Sequence, residues 1–389
     1  MRILKSIGTA LLWLVIAVCL GVGVVPAFLD RVYYHGPKSE HFDGKHFFNP
    51  DGDAGPVAEA KVHPPLSVAA RLLGFGDPAT RWPAHIEITS SKPEARVDGA
   101  RLVATWVGHA TVLVQTEGLN ILTDPVWSDT VGPFGIGVRR VAAPGVRFDD
   151  LPHIDAIIIS HNHYDHLDVP TLQRLEARDH PRIFVGLGND ALLASEGVTA
   201  TGMDWGQHVR LTPDVEIISA RNHHWGGRWG VDRTRALWSA FIIKTPHGNI
   251  FFAGDTGPGD MKWPQDAAAS GPVRLALIPI GAFRFAPGQM VNGNHIGPMD
   301  AVRVFGGLGA AFAIPIHWGT FHLSGEAYDT PPKMLSAFAA CAGLSPNAFR
   351  AHSIGEPVEV PLLGASAPAP FNDVAIGKCA DSPQVRALP

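Results

Sequence analysis

The sequence predicts an α/β fold, and three observations predict it. Short apolar runs recur across residues 101–316, stretches with a proline in their first turn fall between or after them, and several runs end in a His or an Asp. Runs that are apolar at successive positions read as strands buried on both faces. In chain order, strands are expected at Arg101–Val107, Thr111–Gln115, Asn120–Thr123, Ala156–Ser160, Val215–Ser219, Leu237–Lys244, Ile250–Ala253, Leu275–Ile278 and Ala311–Ile316. His247-Gly248-Asn249 reads as a hairpin turn between two of them. Helices are expected at Pro170–Ala177, Pro298–Phe305 and Pro332–Cys341, with a short one at Leu66–Leu73. The chain has 389 residues, 46% of them hydrophobic, enough for one large domain with appendages.

The ends differ in kind from the middle. Arg2 and Lys5 form a basic head before a nearly uncharged stretch from Ile7 to Leu29. At roughly 1.5 Å per helical residue that stretch matches a hydrocarbon core of ~30 Å, so residues 1–30 are expected to be a transmembrane anchor. A cleaved secretion signal is the alternative, with Val25-Pro26-Ala27 as its cleavage site. Residues 31–96, rich in Pro, Gly and His, are expected to wrap the main domain at 97–362, and the Ala/Pro-rich residues 363–389 to form a mobile tail. Beyond the anchor only Cys341 and Cys379 remain, too few for a disulfide framework and silent about compartment.

The densest chemistry lies in Ile159-Ser160-His161-Asn162-His163-Tyr164-Asp165-His166-Leu167-Asp168. The run Ala156-Ile157-Ile158-Ile159 places this cluster at the carboxyl end of a buried strand, where α/β sheets carry their ligands. His161 and His163, two apart on an extended chain, point the same way and can grip one metal ion. Asp165 and His166, in the turn beyond, can serve a second. Imidazole nitrogen with carboxylate oxygen suits zinc best among the common divalent metals. Three later runs end alike: His224 follows Val215-Glu216-Ile217-Ile218, Asp255 follows Ile250-Phe251-Phe252-Ala253-Gly254, and His317 follows Ala313-Ile314-Pro315-Ile316.

The H-x-H-x-D-H element, with ligands following in this order, resembles the metallo-β-lactamase superfamily. Trp106-Val107-Gly108-His109, Leu122-Thr123-Asp124-Pro125, His224-Trp225-Gly226, Gly254-Asp255-Thr256-Gly257, Asn294-His295-Ile296-Gly297-Pro298 and His317-Trp318-Gly319-Thr320-Phe321 narrow it. Together they resemble the N-acylphosphatidylethanolamine-hydrolysing phospholipase D branch and its bacterial relatives, over roughly Leu102 to Ile354. The resemblance implies an αββα sandwich holding two Zn2+ per chain. His161, His163 and His224 would hold the first, Asp165, His166 and His317 the second, and Asp255 would bridge them, with His223 an alternative to His224. A metal-bridging hydroxide would then cleave the phosphodiester of an N-acylated phospholipid, Asp255 and Asp165 holding the metals that supply it. The family's pattern gives His295 a catalytic role in phosphate binding or leaving-group protonation; capping the helix near Pro298 is the plainer reading. Asp124 would support the ligand loop and His109 would line it from behind.

Trp225, Arg228 and Trp229 lie in a loop of aromatics, glycines and arginines beside a ligand, and are expected to face substrate. The expected partners are a phospholipid and a membrane, with a homodimer left open. Arg2 and Lys5 favour a cytoplasmic N-terminus, hence a periplasmic catalytic domain on a bacterial inner membrane, although Arg31, Lys38 and Lys45 weaken that bias. A formal charge of −5 and the absence of a basic run argue against nucleic acid. A lactonase or other small-molecule hydrolase is the alternative within catalysis, and a metal-holding membrane module without turnover is the alternative outside it.

Overall fold

Four layers stack as helices, sheet, sheet and helices in a computed structural model that describes residues 2–52, 82–286, 288–290, 292–364 and 371–389. In chain order the first sheet is built from β1 (Leu102–Gly108), β2 (Thr111–Thr116), β3 (Leu119–Thr123), β6 (Ala156–Ile159), β7 (Arg182–Gly186) and β8 (Thr201–Met203). A separate two-stranded hairpin, β4 (Thr130–Val131) and β5 (Val138–Arg139), interrupts it, and β15 (Pro357–Glu359) closes its edge in the order β15-β1-β2-β3-β6-β7-β8. The second sheet runs β14-β13-β12-β11-β10-β9, from β9 (His208–Arg210), β10 (Glu216–Ala220), β11 (Ala240–Lys244), β12 (Asn249–Phe252), β13 (Val273–Pro279) and β14 (Phe312–Ile316). The strand that carries Pro315 is an edge strand, where a missing N–H costs no ladder bond.

The apolar runs resolve into alternating faces. Ala156 and Ile158 of β6, Phe241 and Ile243 of β11, Ile250 and Phe252 of β12, and Leu275 and Leu277 of β13 meet between the sheets. Their neighbours face outward: Ile157 and Ile159 pack with Leu172 and Leu175 of α2 (Val169–Asp179) and with Leu192 and Leu193 of α3 (Asn189–Ser195). On the other side Phe251, Ala276 and Ile278 pack with Trp263 of α4 (Trp263–Ala268), Val302 and Phe305 of α5 (Pro298–Leu308), and Leu335 and Phe338 of α6 (Thr330–Cys341). Both faces of each sheet are covered, which is why the strands read as unbroken apolar runs. Truncating one of the inter-sheet phenylalanines, such as Phe252→Ala, should cost about 3–5 kcal/mol.

The ends depart from expectation in two places. The segment expected as a mobile tail folds into α7 (Asp373–Ala380) and α8 (Pro383–Arg386), which bury Ile376 and Val385 against the outer helices. Asn372 and Ser382 cap these helices, Cys379 forms a disulfide with Cys341, and Arg284 donates to the Leu388 carbonyl at 2.8 Å. The Ala/Pro composition of the stretch before them masks two short amphipathic turns. At the other end a helix, α1, spans Arg2–Leu29; among the described residues no helix is long and apolar enough to cross a membrane.

The N-terminal extension lies against the core. Phe42 and Phe47 bury against Leu237 and Trp238, and Asn49 Nδ2 donates to the His224 carbonyl at 2.9 Å. Ile86 and Ser91 bridge to Ala142 and Val146. The helix expected at Leu66–Leu73 lies outside the described residues.

Candidate metal centre

The site sits where the carboxyl ends of β6, β12 and β14 and the loop after β10 converge. β6 ends at Ile159, and the next residues turn sharply enough for His166 and Leu167 amides to donate to the His163 carbonyl at 3.1 and 2.9 Å. This turn folds the six-residue motif back on itself. Gly254 makes the matching turn after β12: its φ is +60°, and a Cβ there would lie 2.4 Å from the Ser160 Cβ. Only glycine lets the chain carrying Asp255 press against the chain carrying His161.

Of four overlapping donor groups among the described residues, two correspond to the expected ligand sets. His161, His163 and His224 bring one ligand atom each within 4.8 Å of one another, as do Asp165, His166 and His317 together with His109. Asp255 stands between the groups: its Oδ2 lies 3.1 Å from His166 Nε2, 3.0 Å from His317 Nε2 and 4.0 Å from His224 Nε2. His295 approaches the same oxygen through Nδ1 at 3.7 Å, and its ring centroid lies 5.1 Å from that of His224. It is not the cap of α5: the N-cap residue is Gly297, with no side-chain cap hydrogen bond among the described residues.

The outward nitrogen of four of the five candidate ligand histidines is fixed. Ser160 Oγ meets His161 Nδ1 at 2.9 Å, Asp124 Oδ2 meets His166 Nδ1 at 2.6 Å, the Asn294 carbonyl meets His224 Nδ1 at 2.9 Å, and the Gly281 carbonyl meets His317 Nδ1 at 3.4 Å. Such partners set the tautomer and leave Nε2 as an inward lone pair. Asp124 also accepts from the Ser160 amide at 2.7 Å and hydroxyl at 2.6 Å, so one buried carboxylate orients two ligand histidines, one through Ser160.

These residues fit a metal. Nε2 of His166, His224 and His317 and Oδ1 of Asp255 are buried without a hydrogen-bond partner among the described residues, a costly arrangement unless a cation satisfies them. His161 Nε2 and His163 Nδ1 face each other at 2.7 Å, a spacing that two lone pairs hold only with a proton or cation between them. Burial holds His163 down to about 4 and His161 and His224 well below the usual imidazole range, so all three are neutral and ready to ligate. Burial opposes charge at His317 and His166 too, but Asp255 and Asp165 outweigh it, raising His317 to about 9 and His166 well above its usual range. Positive charge is what this second group demands.

The ambiguity between adjacent histidines resolves by direction. His224 faces the donor group, while His223 turns away to place Nδ1 3.1 Å from both carboxylate oxygens of Asp51. His109 Nε2 lies 3.0 Å from Asp165 Oδ2 and packs its ring 4.1 Å from that of His317, behind the second group.

The loop expected to face substrate splits three ways. Trp225 lies beside the site, its ring 4.3 Å from that of His163. Arg228, expected to face substrate, instead donates through Nη1 to the carbonyls of Asn162 (3.0 Å) and Leu167 (2.9 Å), with its guanidinium 4.0 Å over the Tyr164 ring. It staples both shoulders of the ligand turn, a role invisible in sequence because it needs carbonyls some sixty residues away. Trp229 points elsewhere, toward Phe134 and Arg31. Sequence reasoning also missed Asn294 as the partner of His224 and Ser160 as the partner of His161; each directly precedes a histidine it had singled out.

Residues 119–318, the stretch that holds the metal centre, match the Beta-lactamase superfamily domain. The chain belongs to the beta-lactamase superfamily. Within that superfamily it is 36% identical over 251 residues to an uncharacterized protein of Mycobacterium tuberculosis, covering 63% of this chain and 66% of that one, just under two thirds. It is 35% identical over 244 residues to N-acyl-phosphatidylethanolamine-hydrolyzing phospholipase D 1 of Caenorhabditis elegans, covering 60% of this chain and 68% of that one. Among solved structures, a metallo hydrolase from Ignicoccus hospitalis superposes with a TM-score of 0.52 at 19% identity, over 67% of this chain and 99% of that one. This superfamily chain has the α/β metallo-β-lactamase fold.

Proposed function

We propose that the protein is a membrane-tethered di-zinc phosphodiesterase acting on N-acylphosphatidylethanolamine-type phospholipids. One observation carries the hydrolytic part: a single carboxylate, Asp255, reaches both donor groups. His161, His163 and His224 would hold one ion and Asp165, His166 and His317 the other. Zinc bound there supplies water activation near neutral pH and offsets phosphate charge. Asp255 fixes the two donor groups at one spacing, and Asp124 and Asn294 keep the imidazoles from turning away. Burial lowers His295 to about 4, so it is neutral and suited to donating an N–H to a phosphate oxygen. Water's oxygen joins phosphorus, the bond from phosphorus to the ethanolamine oxygen breaks, and N-acylethanolamine and phosphatidic acid leave, the water proton passing to the departing alkoxide.

The substrate class rests on the 35% identity to the nematode phospholipase D. Tethering rests on α1, where Leu11, Leu12, Trp13, Leu14, Val15, Val18 and Leu20 are all exposed, an apolar surface that lipid would cover. The Cys341–Cys379 disulfide favours an oxidising compartment, in keeping with a periplasmic domain.

The test is a substrate panel on zinc-loaded full-length protein in mixed micelles, read by mass spectrometry, with metal analysis of the same sample. N-acylethanolamine release with two zinc equivalents is expected. Turnover of lactones with N-acylated phospholipids untouched would move the protein to the lactonase reading. Well under two metal equivalents with no rate on any ester would make it a binding module.

A further inference from the structure

The two most exposed large hydrophobic side chains among the described residues are neighbours outside the metal centre. Phe134 is 86% exposed and Ile136 76%, both at the tip of the β4–β5 hairpin. The hairpin neck is tight: a Cβ on Gly132 would lie 2.1 Å from the Ile136 carbonyl oxygen, and one on Gly137 would lie 2.0 Å from that of Val131. Phe134 itself holds a left-handed φ of 57°. The chain therefore accepts backbone constraint in a segment whose two large side chains face solvent, a pattern with no folding benefit.

The place of this tip in the molecule tells what covers it. Phe134 packs 5.5 Å from the Trp229 ring, and the Arg31 guanidinium lies 5.6 Å over the same ring. Arg31 is two residues past the end of α1. The intervening Asp30 is pinned to the catalytic domain by Arg235, with contacts of 2.7 and 2.6 Å. Arg31, Tyr33, Phe134 and Trp229 line one cavity of about 370 Å³ together with Tyr164 and Leu167 of the ligand turn. The exit of α1 and the apolar tip thus lie on one side of the domain. Trp, Tyr and Arg gather there, as side chains do at a membrane–water boundary. Arg139, on β5 of the same hairpin, is exposed and adds positive charge beside the tip, suited to anionic headgroups.

We propose that the β4–β5 hairpin is a second membrane contact, which inserts Phe134 and Ile136 into the lipid surface beside the exit of α1 and sets the orientation of the catalytic domain on the bilayer. This rests on the reading of α1 as a membrane tether. It commits the tip to a lipid surface rather than to a second copy of the chain.

The test places a polarity-sensitive fluorophore on Phe134→Cys or Ile136→Cys in full-length protein carrying Cys19→Ser. Cys341 and Cys379, paired with each other, do not take the label. Val374→Cys on α7, 70% exposed, is the control. On reconstitution into phosphatidylcholine–phosphatidylglycerol vesicles, the hairpin labels should shift to the blue, resist aqueous iodide and be quenched by spin-labelled lipid, while the Val374 label stays open to iodide. Hairpin labels as open to iodide as the control, or shielded already in dilute detergent by dimer formation, would overturn the proposal. Failure of every variant to join vesicles would remove the tether reading and this one with it. The labelling needs no turnover, so its outcome is separate from the choice of substrate. As a second arm, Phe134→Asp/Ile136→Asp should raise KM for vesicle-presented substrate about tenfold with kcat on a micellar substrate unchanged. Equal KM on vesicles for both proteins would count against the insertion.

Discussion

The two sheets deliver their ligands in different ways. The first contributes His161, His163, Asp165 and His166 from one turn after β6, whereas the second contributes His224, Asp255 and His317 from three separate strand ends. A contiguous turn can pre-form its geometry from local bonds, such as the amides that donate to the His163 carbonyl. Ligands spread over β10, β12 and β14 converge only when the sheet is paired in register, so their positions report on the whole domain. Asp255 belongs to the dispersed set yet touches both groups, and so joins the two modes of construction.

That contrast breaks most sharply at Asp255. Asp255→Asn should lower turnover on the order of a thousandfold and reduce bound zinc below two equivalents, by steady-state kinetics and metal analysis. A variant with wild-type rate and full metal would show that the carboxylate does not bridge. Next in size is the adjacent pair. His224→Ala should lose one metal equivalent and most activity. His223→Ala should keep both metals and instead lose roughly 1–3 kcal/mol of stability from its pairing with Asp51, seen by denaturant titration. Equal metal loss in the two would mean that direction does not decide between them.

The contiguous turn has its own point of failure. Arg228→Ala leaves the Asn162 and Leu167 carbonyls without their donor, and should weaken metal affinity roughly 10–100-fold in chelator competition. Arg228→Lys should recover part of it, since an ammonium can donate to one carbonyl but cannot span both with the same planar stack on Tyr164. Unchanged affinity in the alanine variant would leave the staple without a role in the site. The smallest effect on chemistry is expected farthest from the centre. Cys341→Ser should cost about 2–4 kcal/mol of stability by freeing the C-terminal helices, with turnover preserved.

Legibility followed the same division. The ligand turn was readable because its residues are adjacent, and Asp255 and His317 because each ends an apolar run. The α/β class was readable in the apolar runs, while the sandwich came only from the family resemblance: in Leu275-Ala276-Leu277-Ile278 every residue is apolar, and only the packed sheets show which face each one takes. Strand β11 begins at Ala240 rather than Leu237, because Leu237 and Trp238 are buried by the N-terminal Phe42 and Phe47 instead of by sheet neighbours. Strands β7 to β9 and the hairpin β4–β5 are short or polar at their ends, and carry too little pattern to stand out. The C-terminal helices were hidden by composition, since only Ile376, Cys379 and Val385 mark their buried faces.

What the sequence by itself determined is the inventory of candidate ligands and their order along the chain, because ligand chemistry is written in residue type and strand ends are written in apolar runs. Direction was decided only by tertiary structure. The His-Trp pairing favoured His224 over His223, but which ring faces inward is seen only where Asp51 takes one and Asn294 takes the other. Nothing in Arg228 says that it holds the ligand turn and not a phosphate until two distant carbonyls come within reach. Residue type sets what a side chain can bond, and the packed chain decides which partner arrives.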